Sequence, residues 1–218
     1  MVSVLTPTRG RAEMWLKNLT QCHKLSKTDP EFLVYIDNDD PQLKQYQSYL
    51  PKLKHIDVKC FIGEPKRSAP AMKYLAQQAS RDYMIFGTDD LNWKTEGWDE
   101  KLIAKMPEHG LSVVYPASIP NHQIKARIPF FTKRWRDFTG LWPDIFVHFG
   151  PDGWIVKVAE NAGTEIFAYD VEILHSKISD ETSSRARKNG TGEWKNIVNK
   201  RIEDIRKLAE KIKAEIND

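Results

Sequence analysis

Four short apolar runs in the first ninety residues constrain the fold more than any other feature of this chain. They lie at 2–6, 32–36, 56–62 and 82–86. Between them fall segments with helical patterning at 12–24, 42–50 and 68–80. In 12–24, Met14, Leu16, Leu19 and Cys22 share one face, and Pro70 falls in the first turn of 68–80, where proline is tolerated. Strand and helix patterns in alternation predict βαβ units, hence an α/β fold with half of a doubly wound sheet. Ligands in such sheets bind beyond the carboxyl ends of the strands. The residues just after each run are therefore the first candidates for chemistry.

The second half is less regular. Strands are predicted at 111–115 and 128–131, a helical turn at 133–138 and a helix at 153–162, with short strands at 165–169 and 172–174 closing the sheet. Segment 176–192 is polar without periodicity and reads as a mobile loop. Segment 193–216 is a charged helix whose Trp194, Ile197, Val198, Ile202, Ile205, Leu208, Ile212 and Ile216 form one stripe. That stripe has two readings, a helix packed along the domain or a homodimer contact. No repeat and no linker stands out, so one domain is expected over 1–185, with the loop and helix of 186–218 packed on it or extending it.

A chain of 218 residues with seven Trp, seven Tyr and nine Phe can bury a sizeable core. Its apolar runs are too short to cross a bilayer, and the N-terminus has no basic-then-apolar signal pattern, so no membrane insertion is expected. Cys22 and Cys60 lack metal-ligand spacing and read as buried thiols, which suits a cytoplasmic location. A net charge of +3 suits an anionic substrate without demanding a nucleic-acid partner.

Pro7-Thr8-Arg9-Gly10-Arg11 follows the first run and offers arginines and backbone N–H groups to base, ribose or phosphate; the alternative is a surface turn. It is neither a GxGxxG nor a Walker loop. Asp37 ends the second run and can accept from a base N–H or a ribose hydroxyl, while Asp39 or Asp40 can cap the next helix. Asp89 and Asp90 end the fourth run after Gly87-Thr88. Two adjacent carboxylates repel each other, so they face a cation or water. The apolar Leu91, Trp93 and Trp98 that follow argue for a held pair, with a simple turn pair as the alternative.

Taken together, Pro7–Arg11, Tyr35-Ile36-Asp37-Asn38-Asp39-Asp40-Pro41 and Gly87-Thr88-Asp89-Asp90 with Gly97-Trp98-Asp99 resemble a GT-A glycosyltransferase. The closest subgroup is the small family-2-like type found in phages and bacteria, and the resemblance covers roughly residues 1–185. It implies a Rossmann-like mixed sheet flanked by helices, with a C-terminal helix added here. It implies a nucleoside-diphosphate sugar donor, UDP-sugar by default, and a divalent metal, Mn²⁺ or Mg²⁺.

By this resemblance Pro7, Thr8, Arg9 and Asp37 lie at the nucleobase, and Arg11 faces the base or phosphates. Arg67 and Lys73 lie near the ribose or diphosphate. Asp89 approaches the ribose and Asp90 binds the metal, although Thr88-Asp89-Asp90 departs from the family's DxD-type pattern. Asp152, in Gly150-Pro151-Asp152-Gly153-Trp154, stands where an inverting enzyme has its base, with Asp144 in reserve; a helix-capping Asp is the plain alternative. His175, after a short strand, matches a late metal ligand, or is merely packed. Lys177, Arg185, Arg187 and Lys188 would close over the diphosphate. Two other functions fit less well: a nucleotidyltransferase, which needs a glycine-rich loop this chain lacks, and a non-catalytic sugar- or nucleic-acid-binding module using the aromatics of 130–154. The acceptor is left open between a saccharide and a hydroxymethylated DNA base met by Lys125, Arg127, Lys133, Arg134 and Arg136.

Overall fold

A computed structural model describes residues 1–118, 128–147, 150–175 and 193–218. In chain order the elements are β1 (Val2–Thr8), α1 (Ala12–Leu25), β2 (Glu31–Asp37), α2 (Leu43–Tyr49), β3 (Val58–Gly63), α3 (Ser68–Gln78) and β4 (Tyr83–Phe86). Then come β5 (Leu91–Trp93), α4 (Trp98–Ala104), β6 (Val113–Ala117), β7 (Phe130–Thr132), α5 (Lys133–Thr139), α6 (Pro151–Ala162), β8 (Glu165–His175), α7 (Glu193–Lys200) and α8 (Ile202–Asn217). Among the described residues the strands form one mixed sheet in the order β3-β2-β1-β4-β7-β6-β8-β5. This is the α/β, GT-A-like architecture expected from the sequence.

The four apolar runs become β1, β2, β3 and β4, which are parallel to one another in the order β3-β2-β1-β4. Every residue of β2 is buried, as a strand covered on both faces requires. Helix α3 buries Ala69, Ala71, Met72, Leu75 and Ala76, and its three alanines allow close approach to β1 and β2. Strand β7 is antiparallel to both β4 and β6, and β8 is parallel to β6. The carboxyl ends of β1, β2, β4, β6 and β8 therefore open on one side of the sheet. That side collects Thr8, Asp37, Asp89, Asp90 and His175.

Several elements differ from the sequence expectation. Strand β5 and helix α4 were not anticipated, because three residues carry no readable period and α4 has just two turns. β5 forms through pairing with β8 and through side chains of α1: Asn18 and Gln21 donate to the carbonyls of Leu91 and Trp93. The last strand of the sheet thus curls back beneath α1. The two strands expected at 165–169 and 172–174 are one strand, and the gap between them is a register shift, with Pro116 opposite Ala168 and Ala117 opposite Glu172. The single helix expected over 193–216 breaks at Arg201, whose N–H reaches the carbonyls of both Ile197 and Val198.

Helix α8 packs along α6 and buries Ile205, Ala209 and Ile212 within the chain. Segments 176–192 and 119–127, including Lys125, Arg127, Lys177, Arg185, Arg187 and Lys188, lie outside the described residues. Among the described residues no helix is long and apolar enough to cross a membrane.

Candidate functional site

The site begins where β4 runs against β1. A Cβ on Gly87 would lie 2.3 Å from Val4 Cγ1, so no larger residue fits there. Gly87 N–H donates to Leu5 O at 2.8 Å, and the Thr6 hydroxyl donates back to Gly87 O. This close junction fixes the direction in which Thr88, Asp89 and Asp90 leave the sheet.

Asp89 and Asp90 then part company. Asp89 is buried, with Oδ1 accepting from Arg11 at 2.7 Å and Oδ2 from the Thr8 hydroxyl at 2.8 Å. Burial pushes its carboxyl above the usual range, while Arg11 and Thr8 pull it down and the Asp90 charge pushes it up. Tyr46, the buried residue of α2, completes this network: its hydroxyl lies 2.9 Å from Thr8 Oγ1 and accepts from Arg11 N–H at 2.9 Å. Asp90 turns the other way. Its Oδ1 accepts from the Thr88 hydroxyl at 2.8 Å, and its Oδ2 lies 3.5 Å from His175 Nδ1. The pairing of Leu91 with His175 across β5 and β8 makes this meeting possible.

Asp37, at the end of β2, accepts from Arg9 at 2.8 Å and from the Lys66 N–H at 2.9 Å. Arg9 also holds Asp39. Asp40 accepts from the N–H groups of Gly10 and Gln42, so it shapes the loop after β1 as a capping residue does. Pro7 sits opposite Tyr35 in the β1–β2 register. Arg67 is the exposed residue before the first turn of α3. Thr8, Arg9, Arg11, Asp37 and Asp89 are thus joined across the ends of β1, β2 and β4.

Asp152 lies in the first turn of α6, preceded by Gly150 with φ 118° and Pro151. Asp152 is exposed, yet protein packs closely around its carboxyl. The crowding pushes its carboxyl up, against the pull of the N–H groups of Gly153, Asp152 and Gly150 and of the His175 charge. His175 therefore stands between Asp90 and Asp152 electrostatically. Asp144, the reserve base, is tied instead to Lys73: Lys73 Nζ donates to Asp144 Oδ1 at 2.6 Å and to Trp142 O at 2.9 Å.

Tyr46 and Thr88 were missed by sequence reasoning. Tyr46 acts by one hydroxyl across the fold and Thr88 by one hydroxyl on Asp90 two residues along, and neither stands in a pattern that a spacing argument detects. Asp99 is also clarified. It is fully buried and accepts from the N–H groups of Lys27 and Thr28, so it ties α4 to the loop after α1. Arg134 is engaged with His109 O and Glu215, and Arg136 with Ala76 O, which takes two of the five basic residues considered for DNA into internal contacts.

Among the described residues, no three His, Cys, Asp or Glu gather at one point as a metal cage. The pair Asp90 and His175 nevertheless suits a Mn²⁺ ion, with one hard oxygen and one imidazole nitrogen, where further ligands come from substrate phosphates and water.

A family model described as Glycosyl transferase family 2 matches residues 3–153. Among solved structures, a mannosyltransferase from Pyrobaculum calidifontis in complex with GDP-Man and Mn²⁺ superposes with a TM-score of 0.70 at 12% identity. That match covers 97% of this chain and 73% of the other. TarS of S. aureus in complex with UDP-GlcNAc gives 0.64 at 14% identity, over 84% of this chain and 60% of its own. GalNAc-T7 with UDP, GalNAc and Mn²⁺ gives 0.66 at 12% identity, over 97% and 55%. The chain thus spans a little over half the length of the latter two. No curated protein matches the chain.

Proposed function

The chain belongs to glycosyl transferase family 2, and on that premise we propose that it moves a sugar from a nucleoside-diphosphate sugar to an acceptor hydroxyl, with inversion. A UDP-sugar is the favoured donor and a saccharide hydroxyl the favoured acceptor. The observation that carries this reading is the approach of His175 Nδ1 to Asp90 Oδ2 at 3.5 Å, next to Asp152. Two residues separated by 85 positions (175 − 90) meet at the strand ends, beside a carboxylate at a helix start.

In this reading Pro7, Thr8, Arg9 and Asp37 receive the base, and Arg11, Arg67 and Asp89 the ribose and diphosphate. Guanidinium groups suit phosphate oxygens because they donate in pairs. Asp90 and His175 would hold Mn²⁺ or Mg²⁺, which supplies Lewis-acid stabilisation of the departing diphosphate. Asp152 accepts the proton of the acceptor hydroxyl as its oxygen bonds to the anomeric carbon. The bond from that carbon to the diphosphate oxygen breaks, and the nucleoside diphosphate leaves with the electron pair. A carboxyl raised by crowding is a better base than an ordinary aspartate.

The test is nucleotide release from UDP-, GDP- and TDP-sugars with Mn²⁺ and a panel of saccharide acceptors. Release is expected from one donor and lost in Asp90→Ala. Silence with every donor, together with UDP binding indifferent to Asp90→Ala, would sink the enzyme reading.

A further inference from the structure

Lys73 stands on α3 with its ammonium on segment 140–147. It donates to Trp142 O at 2.9 Å and to Asp144 Oδ1 at 2.6 Å, and its side chain is 19% exposed. The two bonds differ in weight. Asp144 is 87% exposed, so that ion pair contributes little in water. Trp142 is buried, with its ring edge-on to Phe86 at 5.6 Å, so its carbonyl is a fixed target.

The segment needs such an anchor. It opens with Gly140 and Leu141 both in the left-handed region, and Leu141 at φ 69° is costly for a branched residue unless its surroundings hold it there. A second tie from α3 is the N–H of Ala69, which donates to Val147 O at 3.2 Å. Between the ties, Phe146 is buried against Trp154 and against Gly150, where a Cβ would lie 2.4 Å from the Phe146 ring. Gly150 N–H in turn helps hold the Asp152 carboxylate. From Lys73 the ties run to Trp142 and along segment 140–147, where Phe146 N–H reaches Pro143 O at 3.5 Å, and from Phe146 to Gly150 beside the group proposed as the base. The Trp142 ring also touches Phe86, the last residue of the strand that leads to Asp89 and Asp90.

We propose that Lys73 is a positioning residue: it fixes segment 140–147 and through it the carboxylate of Asp152, and so serves acceptor activation rather than donor binding. This rests on the reading of Asp152 as the base. A small displacement of a reacting group lowers rate without touching substrate held elsewhere. In Lys73→Met, kcat for transfer is expected to fall roughly 10- to 100-fold, with donor KM and calorimetric UDP–Mn²⁺ affinity unchanged. Hydrogen exchange is expected to quicken across 140–147 and to stay slow in β1 and β4. Lys73→Arg, which keeps a charged donor of similar reach, is expected to restore both kcat and protection.

UDP affinity falling in step with kcat would make Lys73 a donor ligand and overturn the proposal. Unchanged kcat, or unchanged exchange at 140–147, overturns it equally. The exchange arm needs no turnover. If the wild-type protein releases no nucleotide from any sugar, the enzyme reading fails while the anchoring of 140–147 by Lys73 is still decided.

Discussion

At the scale of single residues, the two adjacent aspartates illustrate how environment divides equal side chains. Asp89 is enclosed by Arg11 and Thr8, which relieves the repulsion that two neighbouring carboxylates would suffer. Asp90 is left facing His175. Asp152 differs from both: protein crowds its carboxyl, and the bonds that offset the crowding come from the backbone N–H groups of Gly150, Asp152 and Gly153. Its raised pKa gives a pH prediction. An ordinary Asp is half ionised at about pH 4; here the acid limb of kcat/KM is expected to lie higher. Asp152→Asn should abolish transfer, by roughly 10²- to 10⁴-fold if only general base catalysis is lost, while UDP–Mn²⁺ binding persists. Equal loss of binding would make Asp152 a donor ligand or a structural cap. Much of this site was legible in the sequence, because Thr8, Asp37, Asp89 and Asp90 each follow a short apolar run. Tyr46 and Thr88 were not, since a single hydroxyl bond, to a distant partner for Tyr46 and to a near neighbour for Thr88, leaves no periodic trace.

At the scale of elements, the opposite ends of the strands are held by Glu31. It is fully buried and accepts from Ser3 at 2.5 Å on β1, Lys59 at 2.5 Å on β3 and Ser80 after α3. Burial by itself would raise its carboxyl, but Lys59, Ser3 and Ser80 together hold it down to about 2. The group is thus depressed in the folded state. Its stabilisation is full above the unfolded value near 4.5 and is lost as the pH falls toward about 2. That shift corresponds to about 3 kcal/mol at neutral pH. Glu31→Gln should lower urea stability by about that much at pH 7 and flatten the fall in stability between pH 5 and 3; an unaltered pH slope would refute the assignment. Nothing in the sequence marked Glu31, which opens an apolar run as an ordinary flanking charge. β5 and α4 escaped notice for a related reason: their existence depends on β8 and on the loop after α1, partners that lie far along the chain.

At the scale of the whole molecule, the C-terminal helix underlies the catalytic half. α8 packs on α6, whose first turn carries Asp152, and Arg134 on α5 pairs with Glu215 near the end of α8 at 2.6 Å. The sequence left that apolar stripe open between internal packing and a second copy of the chain, since periodicity tells which face is apolar and not what covers it. Here Ile205, Ala209 and Ile212 are covered by the chain itself. Ile212→Ala should therefore destabilise the monomer by about 2–4 kcal/mol, read as a shift in urea midpoint at unchanged m-value. A midpoint equal to wild type would place α8 off the domain in solution.

The register of β5 against β8 has a consequence for the making of the protein on the ribosome. Strands β1 and β4 and the Arg11 that neutralises Asp89 all emerge before residue 91, so the first half of the site can assemble early. His175 is translated 85 residues after Asp90 (175 − 90), which at ~5–20 residues per second is a delay of roughly 4–17 s. Through that interval β5 has no strand to pair with and Asp90 has no imidazole beside it. A truncated nascent chain would keep the parallel core yet lack the Asp90–His175 pair proposed to hold the metal, so the site is completed late.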